Sequence, residues 1–215
     1  MQADARTIAD ALIAIGGVGF RLDDPITFKS GIVSPVYCDN RTFPFWPQQW
    51  AKVIECFGRL IDREGIDFDV LGGLETAGIP HSSALGYALQ RPSVFIRKQP
   101  KEHGKRARIE GGDVAGKRVL LVEDLVTTGG SSLSGVQALR DAGATVTDCL
   151  AIISYEFREA TEAFSAAGVR LHTLTGFDAV LAGALATGLL NEDRAAAIRD
   201  WLRDPHGWAA RRGQP

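Results

Sequence analysis

The chain has 215 residues, 45% hydrophobic and 23% charged, with a formal net charge of −2 and a pI near 6.1. That length and apolar content suffice for a full core in one α/β domain, and the slight acidity argues against a general nucleic-acid binder. Cys38, Cys56 and Cys149 lie far apart with no Cys-x-x-Cys pair, so neither a disulfide framework nor a zinc site is indicated and free thiols in a reducing cytosol are expected. The first residues carry an acid and no small-residue cleavage pattern, and no charge-free apolar run approaches a membrane span. The expected location is the cytoplasm, away from any membrane.

Ile8, Leu12 and Ile15 fall at helical spacing and predict a helix over 2–15, ended by Gly16-Gly17. Residues 26–39 read as β-like, broken at Gly31 and Pro35. Pro44 and Pro47 flank a helix start, and Trp50, Val53, Ile54, Phe57, Leu60 and Ile61 form an apolar stripe along a helix at 48–64. Strands are expected at 67–72, 93–97, 118–123, 147–153 and 169–174, separated by helices at 78–90, 131–142 and 158–168. This alternation implies an α/β fold with a parallel sheet and helices on both faces. Two more helices follow at 177–187 and 191–203, the second capped by Asn191. The tail from Pro205 is polar and is expected to be mobile. The whole reads as a single domain: a hood segment at 1–45, a core at 46–175, then C-terminal helices and tail at 176–215.

The most informative stretch starts at Arg118. Val119 to Val122 suit a strand buried on both faces, and Glu123 and Asp124 are expected at its carboxyl end, where open α/β sheets bind ligands. Adjacent acids there can accept hydrogen bonds from a ribose diol. Leu125 and Val126 lead into Thr127, Thr128, Gly129, Gly130 and Ser131, which offer amides and hydroxyls at a helix amino terminus, an anion site. A Walker loop is excluded because no Gly-Lys-Ser/Thr follows, and no Gly-x-Gly-x-x-Gly dinucleotide fingerprint occurs. The order of parts resembles the phosphoribosyl pyrophosphate motif of type I phosphoribosyltransferases.

Between two sheet strands, Arg97 to Arg108 holds six Arg or Lys and one His against a single acid. Charge alone makes such a run a solvated surface. Its position on the ligand side of the sheet, and glycines at 104, 111 and 112, suit a lid instead. Interleaved aromatics, which a nucleic-acid patch would carry, are absent.

Arg97, Lys98, Lys101, His103 and Gly104 match the Arg-Lys-x-x-Lys-x-His-Gly loop of the orotate phosphoribosyltransferase family, which the chain resembles over roughly residues 20–155. Further matches are Phe28-Lys29-Ser30-Gly31, Ser34-Pro35 and Gly73-Leu-Glu-Thr-Ala-Gly78. The resemblance implies transfer from phosphoribosyl pyrophosphate to orotate in pyrimidine synthesis, with Mg²⁺ arriving on the substrate rather than in a protein site. It also implies a homodimer in which the loop serves the neighbouring subunit, with Lys101 the main catalytic contributor beside His103, Glu123 and Asp124. Lys29, Arg97, Lys98, Thr76 and Ala77, with residues 123–131, would complete the substrate contacts. Two departures stand out. Many members carry Tyr-Lys where this chain has Thr76-Ala77, and an arginine where it has Phe157, with Arg158 one residue late. Orotate recognition is therefore expected from Lys29 and backbone near Thr127. The rivals are a purine phosphoribosyltransferase, which should lack the full basic loop, and a regulatory sensor of phosphoribosyl pyrophosphate, which should carry a nucleic-acid module. His81, His172 and His206 match no metal spacing and read as packed or surface histidines; Trp46 and Trp50 read as core or dimer residues.

Overall fold

A computed structural model describes residues 2–99 and 108–212. The elements in order are α1 (Gln2–Ala14), β1 (Val18–Phe20), β2 (Ile26–Thr27), β3 (Val33–Ser34), β4 (Val36–Cys38), a 3-10 segment (Asn40–Phe45), α2 (Pro47–Glu64), β5 (Val70–Leu74), α3 (Gly78–Leu89) and β6 (Ser93–Ile96). They continue with β7 (Ile109–Glu110), β8 (Val119–Val126), α4 (Gly130–Asp141), β9 (Asp148–Ser154), α5 (Arg158–Ala166), β10 (Arg170–Gly176), α6 (Phe177–Ala186), α7 (Glu192–Arg203) and α8 (Trp208–Arg211).

Local chemistry sets the boundaries. Pro47 opens α2, where its missing N–H is no loss, and Gly65 closes it in the left-handed region at φ 60°. Asn191 caps α7 by accepting the Arg194 amide at 2.9 Å.

Six strands form the main sheet in the order β10-β9-β8-β5-β6-β7. The first five run parallel, and β7 pairs antiparallel on the edge beyond β6. Two apolar clusters cover the two faces. One joins α1, α2, the hood strands and the C-terminal helices around Leu120, Val122, Leu150 and Ile152. The other packs α4 and α5 on Leu121, Cys149 and Ala151. Alternate residues of β8 and β9 thus enter opposite clusters; β9 is buried throughout, and β8 is buried except at Asp124 and Leu125, which are half-buried.

The strand order reverses direction between β5 and β8: the chain moves from β5 outward to β6, then returns to β8 and proceeds to β9 and β10. The crevice beyond the carboxyl ends of β5 and β8 is therefore where such a sheet binds ligands.

Several sequence expectations need correction. The strand expected to stop at 123 runs to Val126, because Leu125 and Val126 pair with Ile153 and Ser154 of β9. The tail from Pro205 is not free: α8 forms within it, and the Trp208 indole is fully buried. The antiparallel edge strand β7 and the 3-10 segment lack the length for a periodic signal.

Candidate active site

The crevice is built by two loops and the hood. After β8, Gly129 takes φ 83° as the residue before α4, a conformation that glycine adopts freely. A Cβ there would also meet the Phe164 ring at 3.0 Å. The turn lets Thr127 and Thr128 bring hydroxyls, and the first residues of α4 bring amides, to one concave surface. That surface is a cavity of about 290 Å³ running from Leu125 to Ser132 and closed opposite by Phe28, Lys29 and Ser30. Residues 125–131 and Lys29, far apart in the sequence, thus line one space.

Trp201 of α7 fixes the Lys29 side. Its indole donates to the Val33 carbonyl at 2.9 Å, and its ring meets Phe28 edge-on at 6.2 Å and Tyr155 at 5.3 Å. Among the described residues, the Tyr155 hydroxyl is buried without a hydrogen-bond partner.

Glu123 and Asp124 lie in the last half of β8. Successive side chains of a strand face opposite ways. The field of Glu123 acts on Cys149 and it feels Lys98, whereas Asp124 faces Cys38 and Arg41 of the hood. Burial pushes the Glu123 carboxyl well above the usual range, and the Asp124 charge adds to this. Burial raises Asp124 as well, opposed by Glu123, two backbone amides and Arg41. Glu123 also accepts the Asp124 amide at 3.1 Å. The pair holds a proton more tightly than free carboxylates do.

After β5, Glu75 accepts the Lys98 amide at 2.9 Å and so ties the root of the basic loop to the crevice. Thr76 and Ala77 lie between Glu75 and α3, and the Glu75–Thr76 peptide is cis. Arg97 pairs with Glu110 at 3.1 Å, and its carbonyl receives the Arg108 Nε at 2.8 Å. Arg108 also reaches the Ser134 carbonyl of α4 at 3.0 Å. The two roots of the loop are clamped together at the crevice. Lys101, His103 and Gly104 lie outside the described residues.

Phe157, which stands where the family resemblance expects an arginine, is buried, with its ring stacked 5.4 Å from Tyr155. Arg158 points to solvent, 91% exposed, and pairs with Glu162 at 2.6 Å. His81 is fully buried and accepts the Trp50 indole at 3.0 Å, while His172 and His206 pair with Asp148 and Glu159. Among the described residues no group of three or more His, Cys, Asp or Glu converges as a metal site.

Sequence reasoning missed Asn40. Its buried amide donates to the Asp124 carbonyl at 3.0 Å and joins the hood to β8. The one available signal was the polar triplet Asp39-Asn40-Arg41 directly after an apolar strand.

A phosphoribosyl transferase domain model matches residues 46–170. The orotate phosphoribosyltransferase of Coxiella burnetii is 40% identical over 204 residues, covering 95% of this chain and 98% of that one. The chain belongs to the orotate phosphoribosyltransferase family. Among solved structures, the family member from Aeropyrum pernix superposes with a TM-score of 0.72 at 26% identity, over 86% of this chain and 99% of that one. The Mycobacterium tuberculosis enzyme, crystallised with 5-phospho-α-D-ribosyl 1-diphosphate, gives 0.63 at 28% identity over 81% and 98%. Membership makes the protein a pentosyltransferase, and among the described residues no helix is long and apolar enough to cross a membrane.

Proposed function

We propose that the protein transfers the phosphoribosyl group of phosphoribosyl pyrophosphate to orotate, releasing pyrophosphate and orotidine 5′-phosphate. The observation that carries this reading is the cavity at the α4 amino terminus, which has Lys29 opposite and the acid pair beside it. A phosphate accepts from the amides of residues 129–132 and the hydroxyls of Thr127, Thr128 and Ser131, where the helix dipole favours negative charge. The ribose hydroxyls then reach Glu123 and Asp124. As the C1–oxygen bond of the pyrophosphate lengthens, positive charge grows on the ribose ring and negative charge on the leaving group. The carboxylates offset the first, and Arg97, Lys98, Lys101 and His103 the second. Thr76 and Ala77 would offer backbone groups to the pyrophosphate. The nucleophile is the deprotonated ring nitrogen of orotate, so the chain supplies position and charge, not a covalent intermediate.

The donor set fits Mg²⁺ brought in by the substrate. Glu123 and Asp124 would hold the ribose hydroxyls, so the oxygen shell of the ion would come from the donor's phosphate oxygens and waters. Bound there, the ion supplies charge neutralisation at the pyrophosphate.

The same reading makes the protein a cytoplasmic homodimer of single-domain subunits, with hood, core and C-terminal helices as above. Each basic loop, rooted at Arg97 and Arg108, serves the neighbouring subunit's crevice.

The test is release of pyrophosphate on mixing protein, phosphoribosyl pyrophosphate and Mg²⁺ with orotate, adenine, guanine or hypoxanthine. Release with orotate alone supports the reading, and release with a purine alone overturns it.

A further inference from the structure

The segment Asp39-Asn40-Arg41 closes on the catalytic strand from the hood. The Asn40 bond to the Asp124 carbonyl places the next residue, Arg41, at the rim of the acid pair, and the Arg41 charge acts on Asp124. Its guanidinium is held in one orientation. Nε and Nη2 donate to the two Asp39 carboxylate oxygens at 2.6 and 2.9 Å, and Nη2 also reaches the Tyr37 hydroxyl at 3.1 Å. Asp39 is itself anchored by the Arg41 amide at 3.2 Å. A guanidinium carries five N–H donors in a rigid fork. Here one edge is engaged, and Nη1 has no hydrogen-bond partner among the described residues in a side chain 61% exposed.

An exposed ion pair of this kind contributes little to stability. What it does is keep a cation fixed, with one edge open, beside the carboxylates. Apart from the basic loop and Lys29, the described walls of the crevice offer few cations. The loop after β5 offers only Thr76 and Ala77, Phe157 is packed among aromatic rings, and Arg158 is turned outward onto Glu162. Lys29 faces the turn at 127–131 across the cavity.

We propose that Arg41 is a substrate contact whose open Nη1 edge binds an anionic group next to Asp124. That group is either the carboxylate of orotate or the pyrophosphate of the donor. The assignment rests on the reaction proposed above. A guanidinium recognises either anion through charge-assisted hydrogen bonds.

The test compares Arg41→Ala, Arg41→Lys and Asp39→Asn with the wild type, each substrate being varied in turn, alongside thermal melting. In Arg41→Ala, KM rises at least about tenfold, as expected for a lost charge-assisted contact, and Arg41→Lys recovers part of it. A rise for orotate alone assigns the carboxylate, and a rise for the pyrophosphate donor alone assigns that group. If both rise, the melting curves decide: an Arg41→Ala protein that melts like the wild type supports the contact, and one destabilised as much as Asp39→Asn overturns it by showing the pair to be structural. Unchanged KM values in Arg41→Ala overturn it, whatever the melting temperature. A wild type inactive with orotate would refute the reaction but not the contact. Calorimetric titration with inorganic pyrophosphate and with orotate then decides, and equal affinity of wild type and Arg41→Ala for both overturns the assignment.

Discussion

Gly73 sits in β5 opposite Val122 of β8 and Phe95 of β6, directly ahead of the turn at 75–77. A Cβ at this position would lie 2.8 Å from the Ile79 Cα and 2.9 Å from the Gly78 carbonyl oxygen, with the Ser82 hydroxyl also in its way. Non-bonded carbons rest at roughly 3.5–4.0 Å, so the backbone at the start of α3 must retreat by about 0.7–1 Å. Gly73→Ala should therefore cost about 1–3 kcal/mol as overpacking, less up to about 1 kcal/mol regained from the stiffer unfolded chain. For a chain of this size each kcal/mol moves Tm by roughly 2–4 °C. The same retreat displaces Thr76 and Ala77 relative to Asp124, and a misplacement of about 1 Å can cost on the order of a hundredfold in kcat/KM. Gly58→Ala is the control: its Cβ would touch only the Leu89 Cδ2, at 3.9 Å, so a mid-helix alanine should stabilise by about 0.5–1 kcal/mol without kinetic effect. Melting curves and initial rates with phosphoribosyl pyrophosphate varied report both quantities. A Gly73→Ala protein with wild-type Tm and wild-type kcat/KM refutes the reasoning.

Mixing Lys101→Ala with Asp124→Asn tests the shared loop: each homodimer loses about a hundredfold or more, and random exchange returns about a quarter of wild-type activity. No recovery, once mass spectrometry confirms exchange, means that the loop acts within its own subunit or is not catalytic. Arg158→Ala should leave the orotate KM within about twofold, since the exposed side chain pairs only with Glu162; a rise of about a hundredfold would bring it into the site. Burial lowers the His81 pKa to about 4, opposed by the Asn40 backbone. Because the unfolded chain takes up this proton near pH 6.5 and the folded one does not, stability is full above 6.5 and falls towards pH 4 by up to about 3 kcal/mol. Urea unfolding across that range should show the loss, and His81→Gln should flatten it; equal slopes would mean other groups carry it.

The parallel sheet and its helices were legible because their periodicities are long. The β8 run and the stripe from Trp50 to Ile61 leave few alternatives. The turn at 127–131 was readable for another reason: its glycines and hydroxyls sit together in the chain. Contacts between distant segments were not readable. Nothing local to Asn40 says that it meets Asp124, and Trp208 looked like part of a polar tail because its partners lie elsewhere in the fold. The length of β8 was underestimated because two acids interrupt its apolar run, while pairing to β9 carries the strand past them.

Trp201 bonds to Val33 and packs on Phe28, so the wall that carries Lys29 depends on residues made long after it. During synthesis the strands of the main sheet are all available before α7 leaves the ribosome. A nascent chain can therefore hold its phosphate turn in place while the hood opposite is still unsecured. Substrate binding would then begin only once Trp201 has docked, and a released chain that ends near residue 190 should form its sheet without closing its crevice.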